Sequence, residues 1–125
     1  MAVGAALFLY GTLLDPAVLR RRSGDPRLVH RTRPAVLDGY ARVAFRGTPY
    51  PTLIPRPGAR VSGWVVRPSP AAFRRLVAYE GACYRLVPLR VRVAGRTRQA
   101  RAFAVPPRLA DALRGWPDRG TVPGR

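Results

Sequence analysis

Apolar positions along this chain change their spacing repeatedly, and each change marks an element. Ala5-Ala6-Leu7-Phe8-Leu9-Tyr10 is an unbroken apolar run closed by Gly11, the pattern of a strand buried on both faces. Gly11-Thr12-Leu13-Leu14 reads as a loop. Asp15-Pro16 then supplies a helix start, with Asp as N-cap and Pro at the first helical position. This helix runs to about Arg22 and stops near Gly24. Arg20, Arg21 and Arg22 fall in its last turn, where cations suit the helix dipole. Residues 33–46 carry Val36, Leu37, Tyr40, Val43 and Phe45 around Gly39, which reads as one long bent strand or two short ones.

Arg46 to Pro51 is a loop by composition. Thr52 to Pro55 reads as a short edge strand, because its flanking prolines do not fit a central one. Arg60 to Arg67 is a further strand, in which Gly63 marks a bulge or the close approach of another backbone. Ser69-Pro70 repeats the cap-plus-proline signature and opens the clearest helix, Ala71 to Glu80. From Tyr84 to Val93 the residues alternate, with Leu89, Val91 and Val93 on one face and Arg90 and Arg92 on the other. The turn Ala94-Gly95-Arg96 leads into a hairpin partner, about Thr97 to Val105. Pro106-Pro107 breaks the chain, and a weak helix is expected over Leu109 to Arg114. The sum is an α+β fold: a small, mostly antiparallel, partly closed β-barrel flanked by two or three short helices. Residues 1–115 are expected to form a single domain and 116–125 a poorly ordered tail.

Composition changes the picture at two points. All 23 basic residues are Arg, against 6 acidic ones, for a net charge of +17. Lys and Asn are absent and residues with GC-rich codons dominate, so much of this charge reads as compositional drift on a solvated face. It still attracts anions, and any nucleic-acid binding is expected to be weak, sequence-independent and salt-sensitive. The single Cys83 and single His30 leave no disulfide and no metal cluster. Cys83 reads as a small semi-buried residue and His30 as a surface one. The N-terminal apolar run lacks a basic leader and a cleavage site, and it is far shorter than the ~20 residues of a membrane span. A cytoplasmic protein without membrane partners is expected, and its oligomeric state is open.

Candidate chemistry concentrates in two places. Glu80 is the only Glu, and it continues the apolar stripe of Phe73, Leu76 and Val77. It also ends its helix, with Gly81 as the cap. Burial and the negative end of the dipole both disfavour a charged carboxylate there, which suits proton exchange near neutral pH. The plainer alternative is an ion pair with an arginine such as Arg85. The second place is Tyr10-Gly11-Thr12-Leu13, where a strand-to-helix turn can aim backbone N–H groups at one point to hold a carboxylate or an oxyanion; the plainer alternative is an ordinary turn, since strand–Gly–helix turns are common.

Three segments together carry a family resemblance. Leu7-Phe8-Leu9-Tyr10-Gly11-Thr12-Leu13-Leu14, the loop Gly47-Thr48-Pro49-Tyr50-Pro51-Thr52-Leu53, and Leu76-Val77-Ala78-Tyr79-Glu80-Gly81 followed by Tyr84-Arg85 resemble, in order and spacing, the signatures of the gamma-glutamylcyclotransferase-like family, of the gamma-glutamylamine type. Val77 departs from it, standing where such proteins often carry an acidic residue. The resemblance implies an enzyme that cyclises a small γ-glutamyl amide or amine to 5-oxoproline and needs no cofactor or metal. It casts Glu80 as catalytic acid–base, the amides of Gly11, Thr12 and Leu13 as the cradle for substrate, and Tyr10 and Tyr84 as pocket wall, with Tyr50 a further candidate. The rival reading is a non-catalytic module of the same fold that holds nucleic acid or an acidic protein through its arginines.

Overall fold

The computed structural model describes residues 6–116. Six strands and two α-helices follow one another as β1 (Leu7–Leu9), α1 (Pro16–Ser23), β2 (Arg33–Phe45), β3 (Pro51–Val66), α2 (Pro70–Glu80), β4 (Arg85–Val93), β5 (Arg96–Ala104) and β6 (Ala110–Gly115), with short 3₁₀ turns between some of them. Strands pair in the order β3-β1-β5-β4-β2-β6, and β2 pairs again with β3. That second pairing closes β3, β1, β5, β4 and β2 into a barrel, with β6 added outside on β2. The β1–β5 pair is parallel and every other pair antiparallel.

The apolar run at the start becomes intelligible here. Phe8 and Tyr10 point into the barrel with Leu37, Leu53, Val61 and Val91. Leu7 and Leu9 point the other way, onto Leu13, Leu19 and Leu76 of the helical layer. With both faces covered, no position of β1 tolerates a polar side chain. Its neighbour β3 comes so near that a Cβ on Gly63 would lie 2.1 Å from the Leu9 carbonyl oxygen, so Gly63 serves close backbone approach.

Both helices start as their sequences imply. Asp15 Oδ1 accepts from the Ala17 N–H at 2.9 Å, and Ser69 Oγ from the Ala72 N–H at 3.2 Å. β4 alternates as expected, with Leu89, Val91 and Val93 buried and Arg90 and Arg92 exposed. Arg92 is not idle, however: it forks onto Asp38 at 2.6 and 3.1 Å across the β2–β4 seam, where Val36↔Arg92 is the only paired position.

Three expectations are corrected. Residues 109–114 are not helical. A 3₁₀ turn at Pro107–Leu109 leads into β6, because Ala110 pairs with Phe45, and the Trp116 N–H bonds to Arg42 O at 3.1 Å. Residues 52–55 and 60–67 are not separate strands. They belong to one strand that bulges at 56–59, opposite Gly39 with φ +81°, between the pairs Asp38↔Arg60 and Tyr40↔Pro55. Val77 does not join the buried stripe of α2. It is exposed, and Ala72 and Leu76 carry the burial. No helix among the described residues is long and apolar enough to cross a membrane. Residues 117–125, most of the expected tail, lie outside the described residues.

Candidate active site

β1 and β5 run parallel, and a cavity of about 170 Å³ opens at their C-terminal ends. Tyr10, Gly11, Thr12, Leu13, Glu80 and Tyr84 all line it, so the structure brings every one of the named site residues to one place. Tyr50, from the β2–β3 turn, lies at the mouth and is 49% exposed. That turn is tied by the Phe45 N–H to Tyr50 O (2.8 Å) and by Thr48 Oγ1, which donates to Phe45 O (2.8 Å) and accepts from the Tyr50 N–H (3.1 Å).

Glu80 reaches the cavity because it ends α2 one turn after the fully buried Leu76. Its carboxyl is half-buried and makes no hydrogen bond or ion pair among the described residues. The expected alternative partner, Arg85, is exposed on β4 and forms no pair with it. Burial pushes the Glu80 carboxyl up from 4.5 to about 7. Gly81, at φ +88°, caps the helix with its N–H on Val77 O at 3.2 Å. No basic residue stands in the last turn to offset the carboxylate.

The turn after β1 is a 3₁₀ turn, Thr12–Leu14, whose first bond runs from the Leu14 N–H to Gly11 O at 3.0 Å. The N–H groups of Thr12 and Leu13 precede that bond and have no acceptor among the described residues. Gly11 is required by crowding: a Cβ there would sit 2.7 Å from Pro51 Cγ. The Leu13 side chain is buried beneath the helices, so what it offers the cavity is main chain.

The tyrosines are fixed by their hydroxyls. Tyr10 OH donates to Phe103 O, and Tyr84 OH donates to Pro51 O at 2.7 Å. Both phenols are held above their ordinary range, first by burial and then by neighbouring charge, including that of Glu80. The Tyr10 carbonyl in turn accepts from Arg42 Nη1 at 2.7 Å.

Sequence reasoning missed Tyr79, Pro51 and Phe103 as cavity walls. Tyr79 OH and Thr12 Oγ1 share a hydrogen bond of 2.9 Å that ties the turn to α2, and Arg22 of α1 lies 4.9 Å over the Tyr79 ring. Tyr79 follows Leu76 by three residues, so helical spacing alone puts it on the inward side. Cys83 is exposed, not semi-buried, since it sits in the α2–β4 turn. His30 is exposed. Among the described residues no three His, Cys, Asp or Glu side chains gather as metal ligands would.

Comparison with known proteins bears on this site. The profile of the family "Gamma-glutamyl cyclotransferase, AIG2-like" matches residues 7–119. Protein AIG2 C of Arabidopsis thaliana is 38% identical over 63 residues, covering 48% of this chain and 34% of that protein. The chain thus spans about a third of the length of this curated relative. A solution structure from Arabidopsis thaliana superposes with a TM-score of 0.67 at 26% identity, covering 87% of this chain and 70% of the other. A structure titled gamma-glutamyl cyclotransferase superposes with a TM-score of 0.70 at 16% identity, covering 86% and 68%. An AIG2-like protein of Mus musculus gives 0.61 at 21% identity, covering 84% and 81%. At such identities the last two likenesses speak for the fold.

Proposed function

The chain belongs to the AIG2-like gamma-glutamyl cyclotransferase family, and from that premise we propose that it cyclises a γ-glutamyl amide or amine, releasing 5-oxoproline and a free amine. One observation carries the reading. In a chain with 23 arginines, the only glutamate stands in a cavity without a cation partner among the described residues, its carboxyl lifted to about 7. A structural carboxylate in such a chain would be expected to take an arginine; a proton-transfer group must not.

The geometry supports the following chemistry. The substrate's α-ammonium gives a proton to the Glu80 carboxylate. The freed nitrogen attacks the γ-glutamyl carbonyl carbon, and a five-membered lactam closes. The oxyanion formed is held by the N–H groups of Thr12 and Leu13. The carbonyl then re-forms and the bond to the leaving nitrogen breaks as Glu80 returns its proton to that nitrogen; the regenerated Glu80 carboxylate takes the extra proton left on the ring nitrogen and passes it to the departing amine, leaving a neutral lactam. Nucleophile and electrophile belong to one molecule, so the protein supplies orientation and proton transfer. Tyr10 and Tyr84 donate their protons to carbonyls outside the reaction, which leaves their oxygens as acceptors for the ammonium.

The test is release of 5-oxoproline from a panel of γ-glutamyl dipeptides and γ-glutamyl amines. Turnover of at least one class is expected. A folded protein inert toward the whole panel would overturn the proposal and favour a non-catalytic module of the same fold.

A further inference from the structure

A second cavity, of about 530 Å³, is lined by Ala6, Arg67, Pro88, Arg90, Gln99 and Arg101, among others, and has no lining residue in common with the first. It lies beside Ala6, just ahead of β1, and the middle of β5, where Leu7 pairs with Arg101, and not at the C-terminal ends of these strands where the first cavity opens. Every charged side chain in its lining is a guanidinium. The described carboxylates that form ion pairs, Asp25 and Asp38, hold Arg31 and Arg92. None of the described carboxylates lines this groove.

Arg101 is the telling member. Its main-chain N–H bonds to Ala6 O at 2.9 Å, and its guanidinium carbon lies 5.6 Å over the Phe73 ring of α2. Its Nε is sealed from solvent with no hydrogen-bond acceptor. The backbone at Arg101 is therefore fixed by β1 and its guanidinium faces a ring, with no counter-ion among the described residues. The ring face attracts the guanidinium, a group whose N–H fork matches phosphate. Arg90 stands opposite Gln99 on the paired strands β4 and β5, so a second guanidinium and a carboxamide border the same opening. Like charges brought to one concavity repel, and a bound polyanion relieves that repulsion. A single carboxylate would neutralise only one of Arg90 and Arg101; linked phosphates match both.

We propose that this groove binds phosphate groups of a polyanion, separately from any chemistry at Glu80. Phosphates reach it either on a free polyphosphorylated small molecule or along a single-stranded nucleic acid. The experiment titrates the protein calorimetrically with inorganic triphosphate at about 150 mM salt, where diffuse surface attraction is largely screened. One site per chain is expected. Arg90→Gln and Arg101→Gln should each weaken binding about tenfold or more. Arg21→Gln, which removes the same charge from the exposed face of α1, should leave it unchanged. Should Arg101→Gln fail to fold, Arg90→Gln on the exposed face of β4 carries the test alone. A single-stranded oligonucleotide series then separates the sources. Displacement of triphosphate that strengthens with length points to a nucleic-acid backbone, and length-independent or absent displacement points to a small molecule. Loss of binding at about 150 mM salt, several sites per chain, or an Arg21→Gln effect equal to that of Arg90→Gln would each overturn the groove and leave only net charge.

Discussion

Helices α1 and α2 share an N-terminal design: a capping oxygen, from Asp15 or Ser69, followed directly by proline. Their C termini differ. In α1, Arg20, Arg21 and Arg22 occupy the last turn, and Gly24 closes it at φ +69° with its N–H on Arg20 O. The cations there complement the partial negative charge of the helix end. In α2 the last turn has no cation and ends in Glu80, a carboxylate placed against both the dipole and its own solvation. One helix obeys the local rules throughout, and the other breaks them at a single residue beside a cavity. A residue that local physics disfavours, kept where a plain arginine would serve the fold better, is the feature on which the proposed chemistry rests.

The sharpest way to break this contrast is Glu80→Gln. Gln keeps the shape and removes the proton acceptor, so 5-oxoproline release should fall by about 10²–10⁴-fold. Melting temperature should hold or rise, because the disfavoured charge is gone. A variant within a few-fold of the parent in turnover would reduce Glu80 to an oddity of the helix end.

Gly11→Val comes next. The added Cβ would meet Pro51 Cγ at 2.7 Å, so the strand-to-helix turn and the β2–β3 turn must part. Activity should drop well below that of Arg90→Ala, whose side chain is exposed far from the cavity. Equal activities in the two folded variants would show that the turn does not shape the site.

The contrast also has a pH signature. In the fold, the Glu80 carboxyl is raised from 4.5 to about 7. Between those values the folded protein keeps a proton that the unfolded chain has released, so stability from this group declines as pH rises through the window. Glu80→Gln lacks that decline. Its stability relative to the parent should therefore be greater at pH 8 than at pH 4, as urea denaturation at both pH values would show. The rate should rise with pH along a limb centred near 7, because the free carboxylate is the base. A limb near 4.5 would place the group in water.

The smallest effects come from the shared ends. Asp15→Ala and Ser69→Ala should each cost about 1 kcal/mol of stability. Since α2 carries Glu80, the Ser69 variant should also lower turnover modestly while the Asp15 variant should not. Matched losses in both would deny α2 a special role.

Much of this was legible in the sequence, for reasons seen in particular residues. Both helix starts were plain because Asp-Pro and Ser-Pro act locally. β4 was plain because its alternation matches its one-sided burial. β6 was not: Ala110-Asp111-Ala112-Leu113-Arg114 is rich in helix formers, and pairing of Ala110 with Phe45 overrides them. The continuity of β3 was hidden by Pro55, Pro57 and Gly58, which read as a break where the strand bulges. At the site, Glu80 stood out by being the only glutamate, whereas Pro51 and Phe103 reach the cavity only through the closure of the barrel, which no local pattern announces.

The bonds from Tyr10 OH to Phe103 O and from Tyr84 OH to Pro51 O give the barrel an optical reporter. A phenol that donates to a buried carbonyl loses its proton only when that bond opens. In an alkaline titration followed by phenolate absorbance, these two rings should stay dark until the strands bearing Phe103 and Pro51 separate from β1 and Tyr84. Their late ultraviolet signal would then time the opening of the cavity wall itself, without a label and without a substrate.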